Sequence, residues 1–223
     1  PACAAPPVPR PKPGAMLPLH GASAEKTWHY DVYAAGLHAV EADLTLGFSG
    51  RNRYDVRLDA RTRGFLAALV PWDGTFETTG WKLGKDRYQP EIHRSTATWR
   101  DEFENKEYRY SRGGKFLGYR VEIRGKKPKT RYEHDLADGT TDLLSATLAV
   151  MEKVAQNGGC KGRAEIFDGD RRYGVEFRSQ GRETLSPSEY APFSGLAERC
   201  EVEVFPAGGT WHSKPRGWMS IQE

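Results

Sequence analysis

From Lys26 onward, apolar and polar side chains alternate with a period of two, the mark of strands with one buried face. Trp28, Tyr30, Val32 and Ala34 alternate with His29, Asp31 and Tyr33. Val40, Ala42, Leu44, Leu46 and Phe48 alternate with Glu41, Asp43 and Thr45. Tyr54, Val56, Leu58 and Ala60 alternate with Arg53, Asp55, Arg57, Asp59 and Arg61, so every outward position of this run is charged. Gly36, Gly47 and Gly50 punctuate the joints, and three sequential antiparallel strands are predicted. Gly64 to Gly84 reads as two shorter strands broken at Pro71-Trp72-Asp73-Gly74. His93 to Ser111 reads as a long strand pair with a turn near Asn105-Lys106, and Tyr119, Val121 and Ile123 form a strand after Gly113-Gly114.

One segment breaks this period. Between Asp142 and Gln156, the residues Leu143, Leu144, Thr147, Leu148, Met151, Val154 and Ala155 recur at spacings of three and four. Thr141 or Asp142 can cap the first turn and Asn157-Gly158-Gly159 can stop the last, which predicts a helix with one apolar face against the sheet. Strands then resume. Ala164 and Ile166 lead through an Asp168-Gly169-Asp170 turn into Tyr173, Val175 and Phe177, a hairpin pattern. Cys200, Val202 and Val204 make another strand, and Trp211 to Ile221 closes the sheet. The expectation is a mainly β fold of roughly ten to twelve strands. They form a single curved antiparallel sheet, an open or spiral barrel with one helix packed on its inner face.

Residues 1–24 differ in kind. Pro6, Pro7, Pro9, Pro11, Pro13 and Pro18 with few apolar neighbours describe a tether, leaving 25–223 as one barrel-like domain. Ala2-Cys3-Ala4 has the small-x-small pattern of a secretory signal junction, with lipidation of Cys3 as the rival reading. Either places the protein in the periplasm or beyond. No stretch approaches the roughly 20 apolar residues that span a bilayer as a helix. Among three cysteines, Cys160 and Cys200 lie in strongly patterned sequence. In an oxidising compartment these two would pair; the alternative is two separate buried thiols. Closing a loop of about 40 residues would add roughly 4 kcal/mol in the chain-entropy model.

Net charge is only +3, from 33 basic and 30 acidic residues that are interspersed, so nucleic acid is not an expected partner. The histidines, His20, His29, His38, His93, His134 and His212, show neither HxH nor HExxH spacing, and no CxxC occurs, so no metal site is expected. His134 lies between Glu133 and Asp135, where a proton carrier and a solvated strand end are both open readings. No GxSxG, GxGxxG or P-loop is present, and no cofactor is expected. Arg124, Lys126, Lys127, Lys129 and Arg131 form the densest charge cluster, a solvated loop or a contact for anionic lipid head groups or acidic glycan at a membrane surface. Six tryptophans and ten tyrosines either fill the core or line a pocket, and core filling is the simpler expectation.

Specific runs resemble the exported Gram-negative bacterial proteins grouped as domain of unknown function 3108. They are Tyr30 to Gly36 with the Ala39-to-Leu46 strand, Tyr54-Asp55-Val56 leading to Thr62-Arg63-Gly64, and Tyr88-Gln89-Pro90. Thr141-Asp142-Leu143-Leu144-Ser145, Phe167 to Tyr173, Glu183-Thr184-Leu185 and the Cys200 strand complete the series, over about 27–221. The resemblance implies a periplasmic β-rich domain with no assigned activity and no catalytic residues. It is also distantly similar to the open, helix-plugged sheets of lipoprotein-carrier and envelope-integrity proteins, a likeness of fold alone.

The expected function is therefore a non-catalytic envelope protein that binds an apolar or amphipathic ligand, such as a lipid, or another envelope component. Two alternatives stand beside it. A scaffold recognising protein partners would show an exposed apolar patch without a deep cavity. An envelope hydrolase would show His, Asp and Glu clustered in a pocket.

Overall fold

The computed structural model describes residues 24–34, 36–50, 52–156, 158–187 and 194–211. The first part is an antiparallel meander of seven strands in chain order. These are β1 (Ala24–Ala34), β2 (Leu37–Ser49), β3 (Arg53–Thr62), β4 (Trp72–Lys82), β5 (Tyr88–Trp99), β6 (Glu102–Tyr110) and β7 (Phe116–Ile123), with the short helix α1 (Gly64–Leu69) between β3 and β4. Two helices follow, α2 (His134–Ala137) and α3 (Leu143–Ala155). A second sheet of three strands closes the series: β8 (Gly162–Phe167), β9 (Arg171–Leu185) and β10 (Gly195–Gly209), in the order β10-β9-β8.

The fold is thus mainly antiparallel β, but in two sheets rather than one. After β7 the chain leaves the meander through the basic loop and crosses to α3 before strands resume, so β8 starts away from β7's edge. Among the described residues neither sheet closes on itself. The register confirms the alternation read from sequence: Trp28, Leu44, Leu58 and Phe76 stand opposite one another across four strands, as do Asp43 and Asp59 on the other face.

Three local expectations are corrected. Phe65 to Val70 lacks alternation, and Ala67 and Ala68 favour a helix, so α1 replaces the first of the two short strands expected there. The β5–β6 turn lies at Arg100-Asp101 rather than Asn105-Lys106, with Arg100 at φ 55 and no glycine to announce it. The strand end expected at 131–135 contains the helical turn α2. The tether through Ser23, with Cys3 and His20, lies outside the described residues, as do His212, Trp218 and the closing strand beyond Trp211. Trp211 itself is not in a strand.

The core is built from tyrosine, phenylalanine and aliphatic groups. Tyr108, Tyr110, Phe116, Tyr119 and Phe167 pack as a buried aromatic cluster where β6 and β7 meet α2 and β8. Val150, Cys160, Ile166, Val175 and Phe177 join α3 to the second sheet. Tyr54, Val56, Tyr88 and Leu148 join α3 to the first. Core filling therefore holds for Tyr54, Tyr88, Tyr108, Tyr110 and Tyr119, while Tyr30 and Tyr33 are exposed and none of the five described tryptophans is buried. The hairpin at Asp168-Gly169-Asp170 is present, with Gly169 at φ 105. A Cβ there would also meet the Tyr119 hydroxyl at 2.2 Å, so this turn demands glycine twice over.

Candidate functional site

The seven-stranded sheet has two chemically opposite faces. On one, charged side chains pair across strands, Arg57 with Glu77 at 2.5 Å, Arg61 with Glu41 at 2.5 Å and Arg94 with Glu107 at 2.8 Å, and along β3, Arg57 with Asp59 at 2.6 Å. Hydrogen bonds from Arg61 and Arg63 hold the Glu41 carboxyl below its usual range. This face is solvated, so its pairs are screened and add little to stability.

The other face is apolar, and α3 covers part of it. A buried polar chain fixes the helix there. Asp142, the residue before α3, accepts the backbone N–H of Ser145 at 3.0 Å and thereby caps the first turn. Its carboxylate also accepts the Ser145 hydroxyl and, at 2.8 Å, the Thr78 hydroxyl of β4. Each hydroxyl has one proton, already given to Asp142, so each must accept from its other neighbour. Tyr54 accordingly donates to Ser145 Oγ at 2.6 Å, and His93 Nδ1 donates to Thr78 Oγ1 at 2.8 Å. Every hydrogen in the chain Tyr54–Ser145–Asp142–Thr78–His93 points toward Asp142. Burial pushes the Tyr54 pKa well up, which keeps its hydroxyl a donor. Burial also pushes the His93 pKa down, against the pull of the Asp142 carboxylate, which keeps the ring neutral.

Further along α3, Glu152 accepts from Tyr88 at 2.8 Å and from Lys82 at 3.1 Å. Burial works against the Glu152 charge, but those hydrogen bonds outweigh it and hold the carboxyl below its usual range. Tyr54 and Tyr88 meet edge to face at 5.1 Å, and Gly80 lets Tyr54 approach, since a Cβ there would lie 2.6 Å from the tyrosine ring. Helix α3 is therefore locked to the sheet by two polar anchors with apolar contacts between them.

The anchor contains serine, aspartate and histidine, but not in an order suited to nucleophilic chemistry. Ser145 faces Asp142 and Tyr54, while His93 sits on the far side of Asp142 and Thr78, so the serine has no imidazole beside it. Ser145 and Asp142 are also fully buried.

Past α3 the same apolar face continues uncovered. Trp28, Tyr30 and Val32 of β1 are 37%, 43% and 46% exposed, and Trp99 at the end of β5 is 53% exposed. Between them lie half-buried Leu58, Phe76 and Trp72, the last two in ring contact at 6.4 Å, with Leu44 at the border where α3 begins to cover the face. Four strand spacings of roughly 4.8 Å carry this strip across about 19 Å from β1 to β5. At its end α1 presents Phe65 and Leu69, both exposed. The strip is a surface rather than a hole. The cavity between α3 and the sheet, lined by Leu44, Leu46, Val56, Leu144, Thr147, Leu148 and Met151, measures only about 20 Å³. A shallow groove of about 420 Å³ lies where β8 begins beside β9, but its Arg178 is already paired with Glu176 and Glu203.

The residues singled out in the sequence do not converge. Arg124, Lys126, Lys127, Lys129 and Arg131 form an exposed loop after β7, in which Lys129 bonds Asp170 at 2.6 Å. Cys160 and Cys200 are paired with Cα atoms 5.7 Å apart, linking the segment after α3 to β10. His134 opens α2 with its ring 4.7 Å from that of Tyr132. Among the described residues, no three His, Cys, Asp or Glu side chains gather as metal ligands. No described helix is long and apolar enough to cross a membrane. Sequence reasoning missed the Asp142 anchor, whose members come from β3, β4, β5 and α3. The only signal was that Tyr54, Tyr88, Asp142 and Ser145 all belong to the runs on which the family resemblance rests.

A family model described as "Protein of unknown function (DUF3108)" matches residues 29–219. No curated protein and no solved structure matches the chain.

Proposed function

We propose a function for a chain that belongs to the DUF3108 family of proteins of unknown function: a non-catalytic cell-envelope protein that docks a partner's apolar surface on the open part of its helix-side sheet face. The observation that carries this reading is the strip from Trp28 to Trp99, continuous with a core face yet with large apolar side chains exposed at both ends. A wide exposed patch beside a cavity of only about 20 Å³ fits surface recognition better than an enclosed small ligand. Burying apolar surface there would supply about 25 cal/mol per Å² before ordering costs. The Cys160–Cys200 bridge favours an oxidising compartment such as the periplasm. The basic loop would lie against anionic head groups if the protein works at a membrane surface.

A second reading, an acyl chain slipped between α3 and the sheet, is favoured by the small cavity at that seam, lined by aliphatic side chains, Met151 and Thr147. Native mass spectrometry of periplasm-purified protein separates the two. A stoichiometric protein partner lost on Leu58→Gln and Phe76→Ser supports surface docking, and a co-purified acyl chain supports the seam. Partner retention by both variants, with their folds intact, sinks the docking reading.

A further inference from the structure

Among the described residues the two sheets have four edges, and three of them carry the devices that stop one edge from pairing with another. Strand β7 is bridged at Val121 by Lys129 of the basic loop. Strand β8 is six residues long and bridged at Ile166 by Thr141. Strand β10 contains Pro206, two breaks in register, and Glu198, Arg199, Glu201 and Glu203 along its length.

Strand β1 carries Glu25, Lys26, His29 and Asp31 but has no proline and no bridging segment among the described residues. It runs for eleven residues without proline, and among the described residues it pairs only with β2. The single irregularity of that pairing puts the extra residue, Ala39, in β2, so β1 itself stays regular. At the centre of the strand Trp28, Tyr30 and Val32 take one face and His29 and Asp31 the other, with Lys26 and Glu25 toward one end. Its backbone groups on the outer side form a template for another strand.

The order of side chains on β1 selects the partner. In an antiparallel pair of two β1 strands about a two-fold axis at Tyr30, each Trp28 faces the other copy's Val32, and Tyr30 faces Tyr30. On the opposite face each His29 faces the other copy's Asp31. His29 uses Nδ1 for Asp43 at 2.6 Å, and its Nε2 lies 3.9 Å from Asp31 of its own strand, which also pairs with His38 at 2.9 Å, so the new contact would add a second copy's imidazole to a carboxylate already set among histidines. Moving the axis by one residue toward the N-terminus, to His29, sets Lys26 against Val32 and loses the charge match. Moving it to Trp28 sets Glu25 against Asp31.

We propose that β1 is a homodimer interface: two copies join edge to edge about Tyr30, making one continuous sheet and bringing their two open apolar strips side by side. This goes beyond partner docking on the face, because it rests on the backbone edge and the charge order of one strand. The interface is isologous, so each contact occurs twice.

The test uses the full chain. Sedimentation velocity should show a reversible dimer. Asp31→Lys turns each of the two symmetric His29–Asp31 contacts from attraction to repulsion and should weaken the dimer about tenfold. Adding His29→Asp restores opposite charges and should recover the dimer. Separately, in a Cys3→Ser background, Tyr30→Cys should give a disulfide-linked dimer on mild oxidation. Lys26→Cys, whose expected neighbour is the other copy's Ala34, should not. A monomer at all concentrations overturns the proposal. So does a dimer that ignores the charge changes and leaves the Tyr30→Cys variant unlinked.

Discussion

The covered and open parts of the helix-side face are made by the same strands with the same alternation, yet they are held in opposite ways. Under α3, Val56 and Tyr54 are buried and a polar chain converges on Asp142. A few residues away along the same sheet, Trp28, Tyr30 and Trp99 remain exposed with no polar anchor. The difference shows that alternation decides which side of a sheet a residue takes, whereas cover decides what that side contributes. The covered part carries stability, and the open part is the surface on which the proposed docking rests.

Four measurements would break or sharpen this contrast. The largest effect is expected from Asp142→Ala, which removes the acceptor of three hydrogen bonds and the helix cap, and should cost roughly 3–5 kcal/mol in urea unfolding. A loss below about 1 kcal/mol would mean that the anchor does not hold the helix. Tyr54→Phe removes one donor at the far end of the chain and should cost about 1–2 kcal/mol. Its effect should be strongly non-additive with Ser145→Ala, since the two hydroxyls share a bond.

The third concerns acid. The folded state holds the His93 pKa below its ordinary 6.5, so protonation is easier in the unfolded chain. The stability this group contributes is complete above pH 6.5 and declines as the pH falls below that value. His93→Gln, which keeps an N–H donor without titrating, should flatten that decline; an unchanged pH profile would exclude His93 as its source. The acidic side below pH 4.5 should persist in the variant, because Glu41, Glu107 and Glu152 are also held down by their cationic and hydroxyl neighbours. The smallest effect is expected on the open part, where Trp99→Ser should change stability by no more than about 0.5 kcal/mol. A large loss there would show that the strip is structural after all.

Much of the fold is legible in the sequence because its causes are local. The charged outer positions of β3, the cap and stop of α3, and the glycine turn before β9 each follow from neighbouring residues. The Cys160–Cys200 pair follows because these are the only cysteines in patterned sequence. What escapes is decided at a distance or without a marker. Phe65 to Val70 suits strand or helix by composition, and Arg100 turns the chain with a residue that announces nothing. Tyr54 and Ser145 lie 91 residues apart, so no periodicity could bring their hydroxyls together. The apolar residues of β1 predict a buried face correctly in side and wrongly in cover, because an edge strand has a neighbour on one flank only. The open strip is therefore visible in the sequence as a pattern but not as a surface.

The neighbour order of the first sheet has a kinetic corollary. Because each of its strands pairs with the one just before it, every step from β2 to β7 adds a hairpin to an edge already in place, with little loop entropy to overcome. Helix α3 reaches back past β5–β7 to Tyr54 of β3 and Thr78 of β4, so it can dock only once those strands have assembled. Substitutions at Asp142 should then quicken unfolding far more than they slow refolding, because the clasp closes after the rate of assembly has been set.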